Sequence, residues 1–308
     1  MHMLEVIPKN LTLGDPVAVH GLGIIPIISE NTSEIPKLDL LEPALKGSRL
    51  KITEISEEGT IPFVRAENIG SNTLLILNGE ELVVGGRKRI LSTSVIILPQ
   101  SVLDIPASCM AVAYRHEKPE DFTFGDAVFR TKSLFVNEPG VSTNLMSQNA
   151  QARGIASRQL DFWLAATHAR YPDFRASRAI ASCIESLVDE IPLADYQIGT
   201  IFLSHRGIFG LALMASLNLF QRCFPKILRR FAFETLLHDE SQTVCCGLAE
   251  KWWDEVRKAS FSKRPSCGAG EDLHVETGNF LGSGLFWKDT LIDFSCFPGN
   301  GLIGRSGD

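Results

Sequence analysis

The run from Leu74 to Cys109, LLILNGEELVVGGRKRILSTSVIILPQSVLDIPASC, constrains the fold more than any other part of the chain. Two apolar, β-prone stretches flank a compact patch of opposite charges. Glu80 and Glu81 come first, and Arg87, Lys88 and Arg89 follow within a few residues. Between them lie Gly85 and Gly86, where the backbone can turn sharply or take a positive φ. This pattern predicts a hairpin-like element carrying acids and bases together.

The surrounding sequence extends the pattern into a β-rich region. By alternation and β-branched content, residues 1–115 predict strands near 17–29, 50–55, 62–67, 73–77, 90–98 and 102–108, with one short helix at 39–45. Turn signals at Glu58-Gly59, Gly70-Ser71-Asn72 and Pro99-Gln100 separate them. Short strands at this spacing suit an antiparallel sandwich or a barrel-like sheet. Residues 116–260 predict a mainly helical middle. His116 to Pro139 is a polar connector with four phenylalanines. Helices are expected at 148–169, 177–190, 224–238 and 242–258, with a hairpin at 200–203 and 208–213 around Ser204-His205-Arg206-Gly207. The tail, 261–308, predicts strands near 273–276, 284–287 and 291–297. The glycine-rich stretches Gly268-Ala269-Gly270 and Gly282-Ser283-Gly284 read as flexible surface turns. Without a repeat or a low-complexity linker, the expectation is a single composite α+β domain over 1–308. In it an antiparallel β-rich N-terminal unit packs on a helical middle region, and the C-terminal strands return to complete the structure.

The Leu74–Cys109 run also carries a family resemblance. Asn78-Gly79-Glu80-Glu81-Leu82-Val83, a basic cluster ending in Arg89, and Ile105-Pro106-Ala107-Ser108-Cys109 resemble the ARG and Rhodanese-Phosphatase-superfamily-associated protein family. Further matches are Gln159-Leu160-Asp161-Phe162-Trp163, a Gly-x-hydrophobic-Gly turn at Gly207 to Gly210, a Leu/Arg-rich helix from Pro225 to Leu237, and a terminal β segment with His274 and Phe294. The chain departs from the family after its acidic pair, where Arg89 keeps the pattern and the family's lysine is absent. The family name records an association with ADP-ribosyl glycohydrolases. The resemblance thus implies a setting in ADP-ribose or NAD metabolism without assigning a reaction.

Composition removes several function classes. A net charge of −6 argues against general nucleic-acid binding. No apolar stretch approaches the roughly 20 residues needed to span a bilayer, and the N-terminus lacks the apolar region of a signal peptide, so a cytoplasmic location is expected. The seven cysteines have no CxxC spacing, so no zinc site is expected. Cys183, Cys223 and Cys296 read as small buried hydrophobes; Cys109, at a strand end, reads as a buried structural cysteine, the alternative being a nucleophile activated by a neighbouring base such as His116. Walker, GxGxxG and GxSxG spacings are absent.

The candidate catalytic residues are Glu80 and Glu81. A carboxylate there would orient a ribose diol, activate a water or bind a metal ion; equally, it would sit in an exposed turn or a salt bridge. Adjacent strand residues point to opposite faces, so one glutamate should project inward. Arg87 and Arg89 are the candidate phosphate ligands, since arginine offers a planar bidentate fork; the alternative is a charge-protected edge strand. Asn78, in the same motif, and Gln159, one turn before Trp163, complete the candidate ligand-binding set. Lone His205, Arg206 and His274 are weaker contributors to an anion site. Two functions remain open: a protein that binds or processes ADP-ribose or NAD-derived nucleotides, and a non-catalytic module docking on a partner enzyme such as an ADP-ribosyl glycohydrolase. A pocket joining an acid, Arg89 and a helical residue supports the first. A charged face with an adjoining apolar patch supports the second.

Overall fold

The structure, a computed structural model, describes residues 10–30, 35–55, 63–84, 87–91, 93–109, 185–204, 207–235 and 247–298, with Glu5, Ile7 and Pro8. The expected connector at 116–139, the helix at 148–169 carrying Gln159 and Trp163, and the His205-Arg206 tip lie outside these residues.

In chain order the first strands are β1 (Thr12–Leu13), β2 (Val17–Val19), β3 (Leu22–Ile28) and β4 (Asp39–Leu40), followed by helix α1 (Leu41–Lys46). Next come β5 (Leu50–Glu54), β6 (Phe63–Asn68), β7 (Leu74–Ile76), β8 (Glu81–Val84), β9 (Arg87–Leu91), β10 (Val95–Ile97) and β11 (Ser101–Cys109). The later part has β12 (Gln197–Ser204), β13 (Gly207–Met214), α2 (Leu217–Thr235) and α3 (Ala249–Lys258). The chain then runs through β14 (Ser262–Pro265), β15 (Glu271–Glu276), β16 (Phe280–Trp287) and β17 (Thr290–Pro298). The architecture is therefore mostly β, with antiparallel sheets; the α+β description fits only loosely. The pairing of β4 with β7 is parallel.

Two compact units emerge. The first comprises Met1–Ile35, Asp173–Lys263 and Asp272–Asp308, and the second Pro36–Pro172 and Arg264–Glu271. In the first, the nine-stranded sheet has the order β1-β3-β12-β13-β17-β16-β15-β14, with β2 also beside β3. N-terminal, middle and C-terminal strands thus share one sheet, as the return of the tail strands predicts. The N-terminal strands do not form one body, however, since β1–β3 separate from β4–β11.

Both faces of this sheet are covered. Alternation sends Ile201, Leu203, Leu211, Leu213 and Phe294 into a core with Trp252 and Trp253 of α3. Phe202 is fully buried and stacks on Phe231 of α2, with ring centroids 3.8 Å apart. Opposite Phe202 lies Gly210, where a Cβ would come within 2.9 Å of the Cys296 carbonyl and 3.1 Å of the Phe231 ring. Gly210 is therefore a strand residue that leaves room for the aromatic stack, as the expected hairpin strand at 208–213 has it and unlike the Gly-x-hydrophobic-Gly turn of the resemblance. Gly282 and Gly284 likewise lie inside β16, where a Cβ on Gly284 would meet the Asp293 carbonyl at 2.5 Å. They are not a flexible turn, because that strand lies too close to its neighbour for a side chain. Helix α2 begins earlier than expected, where the Ser216 hydroxyl accepts the Leu219 N–H at 3.3 Å. Pro225 then sits inside the helix.

The β16–β17 hairpin turns through Lys288 and Asp289, with φ of 49° and 58° between the paired Trp287 and Thr290. A two-residue turn with both φ values positive favours Asn-Gly, because a Cβ is strained there. Asp289→Gly is expected to raise stability by roughly 0.5 kcal/mol after the greater unfolded-state freedom of glycine is counted. A urea midpoint that does not rise at constant slope would refute this.

The second unit holds the three-stranded sheet β10-β7-β4 and the five-stranded sheet β5-β6-β11-β9-β8. The ends of the latter, β5 and β8, approach each other, so the sheet curls in the barrel-like manner the strand spacing suggests. Inward residues of both sheets, among them Val64, Ile76, Leu82, Leu91, Val95 and Ile105, form its core with Leu41 and Ala44 of α1. The stretch expected as one strand over 90–98 divides into β9 and β10, which enter different sheets. In the Gly268-Ala269-Gly270 segment, Ala269 donates its N–H to the Ile96 carbonyl at 2.9 Å, so this stretch covers the edge of β10.

Candidate functional site

The charged hairpin forms as its sequence predicts. Strands β8 and β9 pair Glu81 with Ile90, Leu82 with Arg89, Val83 with Lys88 and Val84 with Arg87. Strand β9 then pairs with β11, setting Arg89 opposite Cys109 and Leu91 opposite Ala107.

Arg89 has no exposed surface. Its guanidinium grips the Glu54 carboxylate with two bonds, Nε to Oε1 at 3.0 Å and Nη2 to Oε2 at 2.5 Å. A third donor, Nη1, reaches the Ala107 carbonyl at 3.4 Å. Glu54 points inward because it follows Leu50 and Ile52 at every second position of β5, and its side chain is only 11% exposed. The fork geometry expected for a phosphate is thus occupied by a carboxylate of the same barrel. An anion reaching Arg89 would have to displace Glu54.

Glu80 is buried, at 2% exposure. Its Oε2 accepts the Leu77 N–H at 2.8 Å, its own N–H donates to the Leu77 carbonyl at 3.2 Å, and its carbonyl accepts the Leu91 N–H at 3.0 Å. Glu80 therefore closes the turn between β7 and β8. Asn78 lies in the same turn and donates its N–H to the Ser94 hydroxyl at 3.0 Å. Glu81 and Arg87 are described by their backbone positions in the hairpin, and Gln159 lies outside the described residues. The structure brings together Asn78 and Glu80 in one turn, and Arg89 with a residue the sequence reading passed over, Glu54.

On the outer surface of the same sheet, Arg65 and Asp104 face each other across β6 and β11 and form a bidentate pair at 2.8 and 2.9 Å. The hydrogen bond from Arg65 holds the Asp104 carboxyl below the usual carboxylate range.

The first unit has its own polar residues. Asp293 and Ser295 are buried on the face of β17 opposite Phe294 and Cys296. Ser295 pairs with Ala212 on one side and Ser283 on the other. His274 lies in β15, its Nε2 4.0 Å from Glu276. Among the described residues, no group of three or more His, Cys, Asp or Glu side chains could hold a metal ion. Cys223 and Cys296 are buried as expected, and burial pushes the Cys296 thiol well up. No helix among the described residues is long and apolar enough to cross a membrane.

A family model for the ARG and Rhodanese-Phosphatase-superfamily-associated Protein domain matches residues 10–297. The chain belongs to this family. The match spans both compact units, so the family's signature covers the charged hairpin and the nine-stranded sheet alike. No curated protein and no solved structure gives a match.

Proposed function

We propose that this family member is a non-catalytic interaction module that docks on a partner enzyme. The enzyme class to test first is the one its family name associates with it, the ADP-ribosyl glycohydrolases. One observation carries the reading. Arg89 and Glu80, the charged residues that looked most like ligand-handling groups, are buried and bonded to Glu54 and Leu77 within their own unit. Their chemistry is spent on closing a barrel-like sheet and its turn. The competing reading has Glu80 or Glu81 on a ribose and Arg87 with Arg89 on phosphate, aided by Asn78 and Gln159. It requires the Glu54–Arg89 pair to open.

Thermal unfolding of the full chain with ADP-ribose, NAD, AMP and a phosphate control separates the two. A ligand binding only the native state at about 100 times its dissociation constant stabilises by about 2.7 kcal/mol. The docking reading expects no such shift with any of the four, and a stable complex with purified ADP-ribosyl glycohydrolase from the same host. Stabilisation by ADP-ribose beyond the phosphate control, with no complex formed, would overturn it.

A further inference from the structure

We infer that Asn78-Gly79 is a latent modification site: the asparagine is held intact while the turn between β7 and β8 is closed, and is converted to aspartate or isoaspartate once that turn opens.

Asparagine followed by glycine is prone to spontaneous deamidation, because a residue without a Cβ leaves the approach to the asparagine side chain uncrowded. Once hydroxide has taken its proton, the Gly79 backbone nitrogen attacks Asn78 Cγ. The N–Cγ bond forms, the Cγ–Nδ2 bond breaks, and Nδ2 takes a proton from water and leaves as ammonia. Water then opens the succinimide ring at either carbonyl, giving aspartate or isoaspartate. Water and hydroxide are the only co-reactants. The pair stands here for a structural reason. Leu77 to Glu80 form a β-turn, closed by the Glu80 N–H on the Leu77 carbonyl at 3.2 Å, and its third residue, Gly79, has a φ of 80°. Glycine takes that angle without strain. The residue that lets the turn form is therefore the one that makes Asn78 labile.

The closed turn removes this lability. The attacking nitrogen must first lose its proton, and that N–H is bound to the Leu91 carbonyl at 2.8 Å, in a buried residue. The Leu91 N–H returns to the Glu80 carbonyl at 3.0 Å, so the end of β9 clasps the turn with two bonds. Two more bonds brace it. The Glu80 carboxylate accepts the Leu77 N–H at 2.8 Å, and the Asn78 N–H donates to the Ser94 hydroxyl at 3.0 Å. A proton in such a bond is lost only when the bond opens, which is also the condition for amide hydrogen exchange. One opening equilibrium then governs both reactions of the Gly79 nitrogen. Exchange leaves the chain unchanged, whereas deamidation records the opening permanently. Isoaspartate lengthens the backbone by one carbon ahead of Gly79, which mismatches the paired bonds to Leu91. Aspartate adds a carboxylate two residues from the buried Glu80.

The test incubates the full chain, and a blocked peptide of residues 76–82, at mildly alkaline pH. Deamidation at Asn78 is followed by mass spectrometry of proteolytic peptides, because Asn300-Gly301 is a second pair of the same chemistry. In the folded chain Asn78 is expected to react at least about 10-fold more slowly than in the peptide, and the Gly79 amide to exchange with deuterium more slowly by the same factor. Urea below the unfolding transition should raise both rates in proportion. Glu80→Ala, which removes the carboxylate brace, should do the same, with circular dichroism reporting its folding. If that variant is unfolded it should react at the peptide rate, and the urea series on the wild type decides. A native rate equal to that of the peptide would overturn the inference. So would slow deamidation beside unprotected exchange at Gly79, since the bond to Leu91 would then not be the gate.

Discussion

Arg89→Ala is expected to lower the unfolding free energy by about 3–5 kcal/mol, because it leaves the Glu54 carboxylate inside the sheet without its counter-charge. The loss is not the worth of the ion pair itself. Taking both groups out of water is costly, so replacing the pair by apolar side chains of similar volume is often close to neutral. Arg89→Met combined with Glu54→Leu is therefore expected to recover most of what Arg89→Ala loses. Urea unfolding of the single and double variants, read by circular dichroism, gives the coupling directly. A cost below about 1 kcal/mol for Arg89→Ala would show that the pair does not hold the barrel.

This result bears on function. If Arg89 is structural, disappearance of a nucleotide response in Arg89→Ala reports unfolding and cannot locate a ligand. Glu54→Gln is the cleaner variant. It removes the competing carboxylate and leaves the guanidinium in place. An anion that binds Arg89 should then bind more tightly, whereas a structural Arg89 gives lower stability and no gain in anion binding.

Much of this arrangement was legible in the sequence, and the gaps have physical causes. The pairing of β8 with β9 follows from two β-prone runs about a glycine pair, whereas Glu80 lies in the turn before β8, where strand alternation does not apply. Glu54 was equally readable. It closes the alternating stretch Leu50-Lys51-Ile52-Thr53-Glu54 on the apolar side, which marks a carboxylate that needs a buried partner. Which partner it would find was not readable, because 35 positions separate it from Arg89 and only the sheet order brings them together. The division of β9 from β10 was hidden for a similar reason, since a continuous apolar run does not reveal that its halves enter different sheets. The glycines of β16 misled, and the resemblance drew a turn through Gly210 of β13, because glycine marks both turns and close strand approach. Their meaning depends on Phe231, Cys296 and Asp293, which come from other elements.

Phe202→Ala is expected to cost about 3–5 kcal/mol, the range for truncating a buried aromatic. Its ring lies nearly parallel to that of Phe231, at 8°, and Phe231 in turn lies 6.1 Å from Phe297, so one residue joins β12, α2 and β17. Neighbouring Ile201 is just as buried but faces the α3 side of the sheet. Ile201→Val removes one methylene and is expected to cost only about 0.5–1.5 kcal/mol. The contrast separates the role of the aromatic stack from simple burial. Phe202→Leu, which keeps apolar volume without the ring, should fall between the two. Gly210 sharpens the test. A side chain at Gly210 would press against Phe231 and the Cys296 carbonyl, so Gly210→Ala alone should be destabilising. With Phe202→Ala already in place, α2 and its Phe231 ring have room to shift, and the additional cost of Gly210→Ala should shrink. Strictly additive losses would mean that Gly210 is needed for the β13–β17 approach alone.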